Sequence, residues 1–208
     1  MKKVILSCCA ALFLFACNSG SQAPDQEKHD DASLTKTGKG KYGIESGIVQ
    51  YKTQMMGMDA TQTLYFTDYG KKESTVTTAE MMGMKINSVT ITKDGFIYTF
   101  DPVKKMGTKT SLSEQPNIDF ENLTEEIMVD MKINEAGKET ILGKPCIKYS
   151  INNESIPMQG FYWVWKGIPM KTNAEMGNSA MVLEATELKD NAKIPDSQFD
   201  IPEDIQFM

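Results

Sequence analysis

The most distinctive chemistry in this chain belongs to its sulfur atoms. Met-Met-Gly-Met occurs twice, at 55–58 within TQMMGMDAT and at 81–84 within AEMMGMKIN. Read as extended chain, Met56 and Met58 share one face, as do Met82 and Met84, while Met55 and Met81 point away. The intervening glycine permits a bulge or a close backbone approach. Unbranched, polarizable methionines suit an irregular core or an adaptable lining for an apolar guest. Thioethers also select soft ions such as Cu(I), although neither cysteine nor histidine stands near either phrase to strengthen that use.

A second sulfur marks the N-terminus. Lys2 and Lys3 precede an apolar run from Val4 to Ala16 that ends at Cys17. The run is shorter than the roughly 20 residues of a membrane span and has the build of an export signal. Residues 1–16 are therefore expected to be a lipoprotein signal peptide. Leu14, Phe15, Ala16 and Cys17 resemble a bacterial lipobox, in which the cysteine thiol takes the lipid. Removing sixteen of 208 residues leaves 192, enough for one domain with a sizeable core. Cys8 and Cys9 go with the signal, so Cys146 is the free thiol that remains and no internal disulfide can form. In GKPCIKYSI it reads as a small packed hydrophobe.

Charge and missing residue types exclude several functions. Loss of Lys2 and Lys3 takes the formal net charge from -6 to -8, and the chain has no arginine. Without arginine or a basic patch, nucleic acid binding is not expected. The sole histidine, His29, lies in the polar leader. No Ser-His-Asp set, HExxH or phosphate-cradling glycine loop can be assembled. The reading is of a non-enzymatic protein with no catalytic residues, no metal ligands and no cofactor.

These residues must be positioned by a mainly β domain. Residues 17–41 are polar, glycine-rich and poor in large apolar side chains, which suits a flexible tether. From 42 to 208 the pattern is strand-like. YGIESGIVQYKTQM opens it, and TQTLYFTD and KKESTVTTAE follow, joined at Tyr69-Gly70. NSVTITKDGFIYTF reads as a hairpin turning at Asp94-Gly95, with Val89 and Ile91 answered by Phe96, Tyr98 and Phe100. KKMGTKTSL suits a short edge strand. Leu123, Ile127, Met128 and Met131 have helical spacing, with Asn122 and Glu125 as a capping box. Asn134 to Lys138 reads as a turn, and ETILGKPCIKYSIN as a pair broken near Gly143. GFYWVWKGIPMKT reads as one aromatic strand, with Phe161, Trp163 and Trp165 on one side and Tyr162 and Val164 on the other. In SAMVLEATELKD, Met181, Leu183 and Ala185 share a face.

The lipobox, ILGKPCIKYS at 141–150, YWVWKGIPMK at 162–171 and IPDSQFDIPEDI at 194–205 resemble the LolA/LolB-like superfamily. They are most similar to small Bacteroidetes-type lipoproteins with a DUF4412-like domain. The resemblance implies a curved antiparallel β half-barrel with a short helix packed on or in its concave face. It also implies an apolar cavity for lipid or lipoprotein acyl chains; on the reading of the residues themselves, Met56, Met58, Met82, Met84, Phe161, Trp163 and Trp165 are the candidate lining. Lipid on Cys17 would anchor the protein in the cell envelope. Asn18 to Ser21 lack an acidic surface-export signal, so the outer membrane facing the periplasm is expected. An alternative is an interaction module for another envelope protein, with no open cavity. A further alternative is soft-metal binding through methionines.

Overall fold

The computed structural model describes residues 39–55, 57–81, 83–114, 118–153, 158–176 and 179–208. Cys17, Met56 and Met82 lie outside the described residues. The strands are β1 (Gly47–Met55), β2 (Met58–Thr67), β3 (Lys72–Met81), β4 (Met84–Lys93), β5 (Phe96–Asp101) and β6 (Met106–Ser111). The short helix α1 (Glu125–Asp130) follows. Then come β7 (Ile133–Ile141), β8 (Lys144–Ile151), β9 (Met158–Trp165), β10 (Ile168–Met176), β11 (Ser179–Asp190) and β12 (Gln206–Phe207). All twelve strands form one open, curved sheet in the order β12-β6-β5-β4-β3-β2-β1-β11-β10-β9-β8-β7. The expected half-barrel with a short helix is the fold observed.

Two meanders, β1–β6 and β7–β11, are joined where β1 pairs antiparallel with β11. Tight turns dictate the meanders. Asp94 and Gly95 both have positive φ, 52° and 78°, as a primed hairpin turn requires. The Met-Met-Gly-Met phrases are hairpin turns as well, and not the continuous strands that their alternation suggests. Met55 pairs with Met58 and Met81 with Met84, while Gly57 and Gly83 take φ of 76° and 78°.

Other expectations change in the same way. GFYWVWKGIPMKT is two strands, β9 and β10, turning at Lys166-Gly167. Asn134–Lys138 lies inside β7, where a register shift between Glu135 and Gly137 accommodates the glycine. The helix cap is Thr124, whose side chain accepts from Ile127 N. Asn122 instead donates to Gly40 O and Asp119 Oδ2. β6 is flanked by β12, which pairs parallel with Met106 and Gly107.

Three apolar clusters hold the sheet. The largest gathers Val49, Leu64, Phe66, Trp163, Trp165 and Met170 with Tyr42 and Ile44 from the segment before β1. A second joins Leu123, Met128 and Met131, in and around α1, to Tyr149, Tyr162 and Val164. On β9, then, the Trp163 side and the Tyr162 side are both covered, as the failed alternation of that segment implies. The third cluster lies under the C-terminal segment, where Ile201, Ile205 and Phe207 pack on Ile91 and Phe100. Gln198 Nε2 donates to Ser74 Oγ there at 3.2 Å.

The segment before β1 also records the curl. The β2–β3 and β9–β10 connections would stand roughly 19 Å apart in a flat sheet. Yet adjacent residues reach both: Tyr42 N donates to Tyr69 O at 3.0 Å and Gly43 N to Lys166 O at 2.9 Å. Phe66, fully buried, packs against the Tyr42 ring at 4.5 Å between centroids. Phe66→Ala should therefore cost about 3–5 kcal/mol in urea denaturation. Val103→Ala, at a position 75% exposed, should stay within about 0.5 kcal/mol of the parent.

Candidate functional site

Cross-strand partners in an antiparallel sheet share a face, so the register assigns side chains to its two sides. One side carries the row Val49, Leu64, Thr75, Thr90, Thr99 and Thr108. Next to it run Phe66, Glu73, Thr92, Ile97 and Thr110 on one flank and Gln62, Thr77 and Ser88 on the other. Beyond those lie Ala60, Ala79 and Ile86. Over β1 and β2 this side meets the large cluster. Over β3 to β6 its side chains are small, and Thr75, Thr77, Thr90, Thr92 and Thr99 remain half-buried.

The consequence is a trough of about 730 Å³, lined by Thr90, Thr92, Ile97 and Leu112 and bounded by Lys41 and Glu73. The hydroxyl of Thr90 shares a hydrogen bond of 3.2 Å with that of its cross-strand partner Thr99. Lys41 Nζ binds both Glu73 oxygens, at 2.9 and 3.0 Å. The Tyr42 hydroxyl donates to the same carboxylate; burial, with Glu73 second, raises its pKa well above the ordinary range. Thr-rich sequence such as KESTVTTAE signals a strand but not a vacant surface, which is why the trough is missed by reading the chain alone.

The residues expected to line one cavity are placed in different surroundings. Trp163 and Trp165 are 7% and 6% exposed, within the large cluster. Lys148 and Lys171 lie over the Trp163 ring, and Lys144 and Lys166 over Trp165, their stems closing the rings off from water. The indole N–H of Trp163 has no hydrogen-bond partner among the described residues. Phe161 is 40% exposed. It shares a side of β9 with Trp163, their ring centroids 6.2 Å apart, and Lys148 lies over both rings. Met58 is half-buried at the start of β2, and Met84 opens β4.

The two methionine turns, 26 residues apart in sequence, close the neighbouring hairpins β1–β2 and β3–β4. Met181 pairs with Met55 and Met55 with Met58. Met81 pairs with Met84 across the second turn, and the β2–β3 ladder between the two turns ends at Ala60 and Ala79. Among the described residues no group of three or more His, Cys, Asp or Glu is arranged to hold a metal ion. No helix among them is long and apolar enough to cross a membrane.

No family model matches the chain, and no curated protein matches it. Solved structures are similar. An uncharacterized conserved protein from Thermus thermophilus aligns over 79% of this chain and 90% of its own, at TM-score 0.54 and 10% identity. A chain of the Pseudomonas aeruginosa MucA/MucB complex aligns over 77% of this chain and 57% of its own, at 0.45 and 12%. LolA superfamily protein NE2245 from Nitrosomonas europaea aligns over 77% and 92%, at 0.34 and 12%. At such identities the Thermus protein shares the fold and nothing more specific.

Cys146 behaves as the packed hydrophobe expected of it. It is 1% exposed, and burial pushes the thiol from its ordinary 9.0 up to about 11. Its thiolate is the reactive form, so alkylation at pH 8 should be slow in the native protein and complete in denaturant. The unfolded chain loses this proton first as pH rises, so stability falls between about pH 9 and 11. Cys146→Ala should make that decline shallower in denaturation curves taken across the window.

Proposed function

We propose that this is a non-enzymatic, lipid-anchored protein of the cell envelope that holds a lipid or acyl chain along the open part of its sheet. One observation carries the reading. Large side chains fill the curled face over β1 and β8–β11, whereas Ala, Ser and Thr leave the same sheet hollow over β3–β5. A trough of about 730 Å³ lies within the range of roughly 300–1,000 Å³ typical of small-ligand sites. Threonine suits an amphipathic guest, presenting a methyl and a hydroxyl from each residue. The lipobox-like run, the tether and the resemblance to LolA-like, DUF4412-like lipoproteins support the anchored, periplasm-facing placement at the outer membrane.

The alternative, docking of an envelope protein, draws on a different observation. Trp163 and Trp165 lie in a closed core, and the trough is rimmed by Lys71, Lys72, Asp68 and Asp94, charges that suit a polypeptide as readily as a headgroup.

Titration with a fluorescent fatty acyl probe separates the two. Ile97→Arg puts a charge on the trough floor and Thr90→Trp fills it. Each should weaken probe binding at least tenfold, or by about 1.4 kcal/mol, with melting temperature retained. Unsaturable probe binding, or equal affinity in the parent and both variants, would sink the lipid reading. Cys17→Ser should abolish lipid incorporation and release the protein from membranes without unfolding residues 42–208. Unchanged membrane fractionation of that variant would refute the anchor.

A further inference from the structure

The charges around the trough select its guest as firmly as the volume does. Six ionisable residues border it, Lys41, Lys71 and Lys72 against Asp68, Glu73 and Asp94. Three positive charges therefore face three negative ones and cancel. Two lysines of the neighbouring strands leave that balance undisturbed: Lys93 pairs with Phe96 and Lys109 lies over the Phe96 ring, on the opposite side of the sheet from Thr92 and Ile97. Lys39 donates to the Tyr69 hydroxyl, outside the lining.

Four of the six are already engaged with one another. Lys41 Nζ holds both oxygens of Glu73, and these side chains are only 30% and 12% exposed. Lys71 Nζ stands 3.4 Å from Asp68 Oδ1. A carboxylate or phosphate brought to Lys41 would meet the Glu73 carboxylate beside it, and an ammonium brought to Glu73 would meet Lys41. Such repulsion is poorly screened where the pair is partly buried, and separating the pair leaves a charge without its partner. The chain has no arginine with which to grip an anionic head bidentately. The lining does offer the hydroxyls of Thr90 and Thr92. Each is both donor and acceptor, which matches a guest hydroxyl or ester, whereas an ammonium can only donate and a carboxylate can only accept.

We infer that the guest of this trough is an amphiphile with an uncharged head of alcohol or ester type, as in an acylglycerol, in preference to a free fatty acid or a cationic amphiphile. The inference rests on the acyl-chain reading and narrows it. Ile97, Leu112 and the threonine methyls take the chain, while the balanced rim decides which head can accompany it. Because the discrimination comes from equal numbers of opposite charges, removing charges of one sign must change the preferred head.

The test measures how well palmitate, monopalmitoylglycerol and palmitoylcholine displace the fluorescent acyl probe from the purified full-length protein. The three share one saturated chain and differ in head charge, and each is kept below its aggregation concentration. Monopalmitoylglycerol should compete at least about tenfold better than either ion. In the Asp68→Asn, Asp94→Asn double variant the rim keeps three lysines against Glu73 alone. Palmitate should then gain at least about tenfold on the glyceride, while palmitoylcholine falls further behind. Asp68 and Asp94 have φ of 51° and 52°, a region that asparagine tolerates, so the variant should fold as the parent does. Equal competition by all three amphiphiles, stronger competition by an ion in the parent, or a palmitate-to-glyceride ratio unchanged in the double variant would overturn the inference and leave the acyl-chain reading standing. Failure of all three to displace the probe, or of the probe to bind, would overturn that reading and the inference with it.

Discussion

Everything in this fold depends on bending a single twelve-stranded sheet far enough that one face covers itself. Strand twist supplies part of the curvature, and the segment before β1 holds it. Tyr42 and Gly43, adjacent in the chain, bond to two hairpins four strand spacings apart, and the Tyr42 ring closes over Phe66. Gly47 makes this possible from below: a Cβ there would sit 2.6 Å from the Phe66 ring. The Lys144–Asp190 ion pair, 2.8 Å between β8 and β11, spans the same curve. Its lysine holds the Asp190 carboxyl below the usual carboxylate range.

Once the sheet is bent, side-chain volume decides what its hollow contains. Over β9 and β10, Trp163, Trp165 and Met170 fill the space. At Met170 the β9–β10 register shifts, so residues of one parity on β10 pair first with Trp165 and later with Tyr162. This lets Ile168 serve the large cluster and Ala174 the helix-side cluster. Over β3 to β5 the same curvature meets Thr, Ser and Ala, and space remains. The reverse side of those strands is closed by the C-terminal segment, so the trough opens on one side of the sheet there and not on both. Edges are managed as well: β7 is almost wholly exposed but carries a bulge and the charges Glu135, Lys138 and Glu139, which discourage pairing with another chain.

Local features of this protein are legible in its sequence because their causes are local. Period-two alternation and the Asp94-Gly95 turn determine β4 and β5. The opposing sides of Phe161–Trp165 follow from strand geometry, and the burial of Cys146 from its apolar surroundings. The mainly β class and the short helix follow from the same signals. The methionine turns read as strand because methionine has no turn preference of its own and the glycine could equally mark a bulge. Thr124 as helix cap and the turn at Lys166-Gly167 escape the sequence for similar reasons, since neighbouring residues offer a competing signal of equal strength.

What only the tertiary structure decided is every relation between distant segments. Residues 47–55 pair with 181–190, and no local rule names that partner. The pairing matches two apolar faces that neither strand can bury alone, and the register then follows from the pleat. From it come the closed core around Trp163 and the open trough over the threonines. Sequence determines which side of its own strand each residue occupies. Whether that side is filled or hollow depends on which strands become neighbours, because packing energy belongs to the assembled surfaces and not to either segment alone.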